Sequence, residues 1–387
     1  MTNVTPLHSC HLAAGAKMGS FSGYEMPAHY GEGAVAEHEW VRASCGLFDL
    51  SHRGQMILHG NVVPLLHKLT PSEFGAIPEG RTCYTVLTNE KGGIIDDLFI
   101  AKLGPDRFFA VLNAGSKEKD FDWVFSHMPA RIAMDNLEDQ ALLGLQGPRS
   151  ARVLLEALGI DAVMQPHMWT VETELPDGIP VFLTRFSYTG EDGFVLSLPG
   201  SKAEALWDRL SRHKAVKPAG FGALDSLRLE MGYCLYGHDI DDTTTPIEAG
   251  LDRVFREDHA DFIGHDELLI ERAEGPARRR VGVILSESGI PLEGADIFSV
   301  QNEPIGALTS SGFSPTLKAG IGQGYVKSGY VLPGTQVFVR VGEKKIPGKI
   351  VALPFVPGHT KSPEQAVPMV EKRQDDTWRQ QQGETRT

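Results

Sequence analysis

The segment Gly92-Gly93-Ile94-Ile95-Asp96-Asp97-Leu98 sets two adjacent carboxylates inside an apolar run, directly after a glycine pair. Ile94, Ile95, Leu98, Phe99 and Ile100 are strand formers, with side chains that suit a pleated, half-buried surface. Successive side chains of a strand point to opposite faces, so Asp96 and Asp97 should not share one site. A carboxylate in an apolar strand is costly unless it is paired or hydrogen-bonded. That cost makes the pair a functional candidate. On this motif alone, a turn carboxylate capping a nearby backbone N–H is the slightly better reading.

At 387 residues the chain is too long for one ordinary core, and two or three domains are expected. The net charge of −13 makes it a poor general binder of phosphate backbones, so no nucleic-acid partner is expected. The one compact basic run, Arg278-Arg279-Arg280, precedes an apolar strand and reads as a solvated strand edge or linker. No apolar run approaches the ~18 residues of a membrane helix. Residues 1–27 lack the features of a signal or transit peptide. Cys10, Cys45, Cys83 and Cys234 are scattered and show no Cys/His metal spacing. Reduced thiols in a cytoplasmic protein, with no metal and no membrane partner, are the expectation.

Along the chain, residues 33–48 read as a helix broken at Gly46, and 116–125 as a second helix after a strand at 108–113. A strand at 141–145 leads through Gln146-Gly147-Pro148 into a helix at 149–158. Residues 180–198 read as a hairpin around Tyr188-Thr189-Gly190-Glu191-Asp192-Gly193, followed by helices at 201–213 and 223–231. This alternation suggests a layered α+β body. The character changes near Glu274-Gly275-Pro276. From 280 to 355, short strands at 281–285, 305–309, 324–326, 336–341 and 349–352 are separated by turns, the pattern of a small antiparallel barrel or sandwich. The tail, 358–387, is polar and reads as disordered or loosely helical.

Several polar clusters fall where loops are expected. Asp49-Leu50-Ser51-His52 reads as a cluster following a helix end, and Thr243-Thr244-Thr245-Pro246 before Glu248 as an N-capped helix start. No Walker-type loop, dinucleotide fingerprint or nucleophile elbow is present. One by one, these motifs leave the function open.

Taken in order they resemble a known family. Phe21-Ser22-Gly23-Tyr24-Glu25-Met26-Pro27 and Gly46-Leu47-Phe48-Asp49-Leu50-Ser51-His52 come first. Asn89-Glu90-Lys91-Gly92-Gly93-Ile94-Ile95-Asp96-Asp97, Asn113-Ala114 and Leu145-Gln146-Gly147-Pro148 follow. The hairpin turn 188–193, Asp225-Ser226-Leu227-Arg228-Leu229-Glu230, Pro246-Ile247-Glu248-Ala249-Gly250-Leu251 and Pro354-Phe355-Val356 complete the series. The chain resembles the glycine cleavage T-protein family, tetrahydrofolate-dependent aminomethyltransferases, over roughly residues 5–357.

The resemblance implies an α+β, three-domain architecture around a central opening. Two interleaved domains would occupy 1–275, the second centred on about 53–136, with a β-barrel at 276–357 and the polar tail beyond. It implies tetrahydrofolate as co-substrate and the lipoylated H protein as partner. Ammonia leaves as the methylene passes to folate through a cationic, iminium-like state, which a carboxylate beside it stabilises. By the family motif that carboxylate is Asp97, with Asp96 structural and with Tyr84 and Asn113 approaching the pterin. Four positions depart from the family pattern. Arg53 stands for a Met, Val195 for a pterin-binding Glu and Leu224 for a folate-binding Arg. Thr360, beside His359, stands for a Tyr. These departures imply altered folate recognition, with Arg53 a candidate compensating charge. The competing readings are a related folate-dependent demethylase of a small N- or S-methyl compound, and a non-catalytic paralogue.

Overall fold

The computed structural model describes residues 2–255 and 261–361. Most of the tail expected to be loosely ordered, residues 362–387, lies outside the described residues. Two antiparallel-rich sheets pack face to face, and a closed barrel follows them in the chain. The first sheet has six strands in the order Trp169–Glu174, Pro180–Arg185, Gly193–Pro199, Gln140–Gln146, Cys45–Asp49, Val216–Pro218. The second has five, in the order Thr82–Thr88, Ile94–Gly104, Arg107–Leu112, Gly54–His59, Ala133–Asn136. All five fall in sequence between Cys45–Asp49 and Gln140–Gln146, which pair directly with each other.

Side-chain alternation explains the layering. On the first sheet Leu47, Leu143, Leu145 and Leu196 face a core shared with Leu206, Trp207 and Leu210 of the helix Ala203–Ser211. The intervening Phe48, Leu142 and Val195 face the second sheet, meeting Ile57, Phe109 and Val111. On the second sheet's other side Leu98 and Ile100 pack against Leu65 and Leu66 of the helix Val63–Leu69 and Phe121 and Val124 of the helix Lys117–His127. The result is helix, sheet, sheet, helix, with an aromatic-rich layer in the middle.

The barrel closes through Arg278–Leu285, Ala319–Lys327, Pro304–Ser314, Asp296–Ser299, Gln336–Val341 and Lys344–Val351. Its one helical element among the described residues is a single turn, Ser328–Tyr330. Asp296–Ser299 is a strand that the sequence did not mark, because its four residues are bounded by turns on both sides.

Three local expectations need correction. The helix expected over 33–48 is Ala34–Ala43, and Cys45–Asp49 is a fully buried strand. A short, wholly apolar run has no periodicity that separates strand from helix. Gly46 is there for close packing, since a Cβ would meet Val41 Cγ2 at 2.5 Å. Asp49 therefore ends a strand rather than following a helix. The expected helix after Thr245 does not develop either. Thr245 and Glu248 do form the reciprocal capping pair, N–H to side chain in both directions at 3.1 Å. Gly250, at φ +70°, turns the chain away after one turn. Finally, Arg280 is no solvated edge: it donates to Ala249 O, Gly232 O and Gln323 Oε1 at 2.7–2.8 Å.

Candidate active site

A cavity of about 520 Å³ opens between the two sheets, the helix Phe221–Glu230 and the barrel. The strand Ile94–Gly104 sends Asp97 and Phe99 to its wall and buries Asp96 on the other side. Tyr84 and Asn113 line the wall beside Asp97. Asn113 Nδ2 donates to Asp97 Oδ1 at 2.7 Å, to Asp97 O at 2.8 Å and to Asp96 Oδ1 at 2.9 Å. Its backbone N–H donates to Asp96 Oδ2 at 3.1 Å. One amide thus ties together two carboxylates that point to opposite faces. Because all of these neighbours are acceptors, the NH2 end of Asn113 is committed to them.

The electrostatics of Asp97 follow from this enclosure. Burial, and then the Asp96 charge, push its carboxyl up to about 7, against the opposing pull of Arg53, Tyr84 and Asn113. A carboxyl that titrates near neutrality can both accept and release a proton. Burial and the Asp97 charge raise the Tyr84 hydroxyl, which stays protonated as a donor. The Cys234 thiol, pushed up to about 12 by burial, is not a nucleophile here.

Arg53 lays its guanidinium 4.5 Å from the Tyr188 ring centre. Phe99, Phe186 and Tyr188 form a contiguous aromatic cluster, with ring centres 4.3 Å and 4.7 Å apart from Phe99 to Phe186 and from Phe186 to Tyr188. A flat heteroaromatic ligand finds apolar and π surface there.

His52 also lines the cavity, and its buried Nδ1 has no hydrogen-bond partner among the described residues. Burial, and then the Arg53 charge, lower its pKa to about 3, so it stays neutral.

The other residues marked in the sequence divide. Leu224 lines the cavity from the helix Phe221–Glu230. Val195 does not: it lines a small apolar crevice with Phe99, Phe186 and Tyr188, outside the main cavity wall. The middle-layer face of the strand Gly193–Pro199 puts it there. Thr360 is exposed and is not part of the wall, whereas Leu353 and Pro354 are. His359 instead faces Glu191 at 3.0 Å.

Sequence reasoning did not assign His52, Tyr188, Arg228, Cys234 or Arg280 to the wall. His52, Tyr188 and Arg228 belong to family motifs and Arg280 to the basic run, but nothing local in the sequence shows their direction. Arg228 cross-links helix and barrel, donating to Asp225, Asp239 and Ser310 at 2.8–3.0 Å.

The family model described as GCVT N-terminal domain matches residues 7–259, and the glycine cleavage T-protein C-terminal barrel domain matches 278–357. The chain belongs to the glycine cleavage T-protein family. Among its curated relatives, the aminomethyltransferase of Flavobacterium psychrophilum is 38% identical over 356 residues, covering 91% of this chain and 98% of the relative. That of Halothermothrix orenii is 40% identical over 359 residues, covering 91% and 99%. The crystal structure of the glycine cleavage system aminomethyltransferase T from Bartonella henselae superposes with a TM-score of 0.89 at 37% identity. It covers 93% of this chain and 99% of that one. The T-protein resemblance and the α+β architecture with a terminal antiparallel barrel therefore both hold.

Proposed function

We propose that this chain is an aminomethyltransferase of the glycine cleavage system, taking its one-carbon unit from the lipoyl arm of an H protein in the cytoplasm. Tetrahydrofolate is the acceptor. The C–S and C–N bonds of the aminomethyl group break, and two C–N bonds to folate nitrogens form. The two displaced N–H protons leave with ammonia and the dihydrolipoyl thiol, so atoms balance.

Asp97 carries the reading: a cavity-facing carboxyl held by Asn113 and titrating near neutrality. Positive charge developing on the transferred carbon meets this preorganised carboxylate. A cationic substrate beside it draws its pKa downward and favours the ionised form. Asp97 is also placed to pass a proton between the folate nitrogen and the leaving amine. Tyr84, kept protonated, serves as a donor at the same end. The aromatic cluster of Phe99, Phe186 and Tyr188 supplies a face for the pterin. Arg53 and Leu224 occupy the wall where this chain departs from the family pattern, and they tune recognition rather than abolish it.

The test is formation of ammonia and methylenetetrahydrofolate from aminomethylated H protein and tetrahydrofolate. Absence of both products with folded protein rules the proposal out.

One observation favours a second reading. The Arg53 guanidinium makes no hydrogen bond or ion pair with any described residue, although it sits in the wall near Asp97. A small carboxylate-bearing N- or S-methyl compound would give it a partner. Folate-dependent loss of a methyl group from such a compound without H protein distinguishes this demethylase from the aminomethyltransferase.

A further inference from the structure

Asp120 is a charged-type residue that nothing above employs. It lies on the helix Lys117–His127 at 0% exposure, and neither carboxyl oxygen has a hydrogen-bond partner among the described residues. Asp96, also at 0% exposure, lies on the face of the strand Ile94–Gly104 whose Leu98 and Ile100 pack against Phe121 and Val124 of this helix, so the carboxylate that Asp120 meets is that of Asp96. Two carboxylates facing each other out of water hold one proton between them, because both cannot ionise cheaply.

The donors decide where that proton sits. Asp96 already accepts the backbone N–H of Asn113 at 3.1 Å and its Nδ2–H at 2.9 Å. Two donors therefore point at Asp96, and none of the kind points at Asp120. Asp120, without such bonds, is the one to be neutral. Burial and the Asp96 charge push its carboxyl up to about 11, opposed only in part by Lys119 and Ser116.

We propose that Asp120 is a positioning acid: protonated, it donates to Asp96, and Asp96 in turn fixes the Asn113 amide that holds Asp97. The chain of contacts runs from the helix through the sheet to the cavity wall. It explains why a buried acid is kept beneath the cavity. Asp96 holds its charge next to Asp97 because Asp120 carries the proton that would otherwise neutralise it. The groups facing this chain are Lys119 and Tyr236 beside Asp96 and Asp120, and Arg53, Tyr84 and Asn113 around Asp97.

The experiment compares the full-length protein with Asp120→Asn and Asp120→Leu. Difference infrared spectra are taken at about pH 9, where a carboxyl titrating near 7 is ionised. The carboxylic C=O band of the native protein should be lost in both variants. Asn can still donate to Asp96, so Asp120→Asn should retain at least about a third of kcat and leave the pH limb of Asp97 in place. Asp120→Leu removes the donor. It should lower kcat about tenfold, as for one lost hydrogen bond to a charge, with little change in KM for tetrahydrofolate. With the Asp96 carboxylate released from that donor, its hold on the Asn113 amide loosens and the Asp97 limb is displaced. A native spectrum without the band overturns the proposal, and so does an Asp120→Asn profile displaced like that of Leu. A Leu variant kinetically equal to the native protein does so as well. The kinetic arm rests on the aminomethyltransferase reading. The infrared arm does not, so failure of that reading leaves the protonation of Asp120 separately tested.

Discussion

The guanidinium of Arg53 lies 4.5 Å from the centre of the Tyr188 ring, on the wall that also carries Asp97. A cation–π contact of this kind holds the charge in place without neutralising it. Arg53 therefore acts at a distance on its titrating neighbours, lowering the pKa of both Asp97 and His52.

Arg53→Met restores the residue type expected of the family at this position. Loss of the positive charge should move the Asp97 carboxyl above its present value of about 7. The ionised form then appears only at higher pH, so activity that needs it should fall at neutral pH and recover in base. The pH dependence of kcat/KM checks the sign. A limb that stays put or moves to acid contradicts the assignment.

Asp97→Asn keeps the shape and removes the charge. It should lower kcat by ~100-fold or more while tetrahydrofolate binding changes little, because the charge is needed in the transition state. Asp96→Asn should act differently. Without the Asp96 charge the Asp97 pKa should fall, and the protein should lose stability as the Asn113 bonds rearrange. Comparing kcat and melting temperature for the pair decides the matter. If the Asp96 variant is the inactive, fully stable one, the faces are misassigned.

Val195→Glu is not a simple restoration of a folate contact. At 6% exposure within the crevice lined by Phe99, Phe186 and Tyr188, the new carboxylate would have no cation to pair with. Destabilisation of ~3 kcal/mol or more is expected from an uncompensated buried charge. Thermal unfolding measures the loss, and calorimetric titration of tetrahydrofolate into Val195→Glu, with Leu224 left in place, measures the affinity. Tightening by about tenfold, roughly 1.4 kcal/mol, would falsify this prediction and bring Val195 to the ligand.

Glu230 should make the fold acid-sensitive. Burial alone would raise its pKa, but hydrogen bonds from His38 and Ser314, and the Arg42 ion pair at 2.6 Å, bring it down to about 2. A folded-state pKa below the unfolded one gives stability that is full above the unfolded value of ~4.3 and is lost as pH falls toward the folded value. The contribution at neutral pH is ~3 kcal/mol. Glu230→Gln should therefore lower the melting temperature at neutral pH and flatten its decline below about pH 4. Equal acid sensitivity in the variant counts against the network.

What the sequence determined by itself was local or cumulative. The alternation around Asp96 and Asp97 already required opposite faces, because the strand period is two whatever surrounds it. The strand-and-turn rhythm after Gly275 already implied an all-β unit, and the ordered motifs carried the family. What only the tertiary structure decided was which groups share a space. Cys45–Asp49 is a strand because it lies between two layers, and an apolar run does not encode that in its own periodicity. Val195 and Leu224 both depart from the family pattern, yet only Leu224 reaches the wall, because the direction of each side chain depends on the register of the sheet or the turn of the helix carrying it. Arg280 comes from a barrel strand, Tyr188 from the turn between two strands of the six-stranded sheet, and Asp97 from a strand of the five-stranded sheet. Their convergence, and the proton trapped between Asp96 and Asp120, exist only where separate elements exclude water together. Desolvation is a property of the assembled interior, and no single segment carries it.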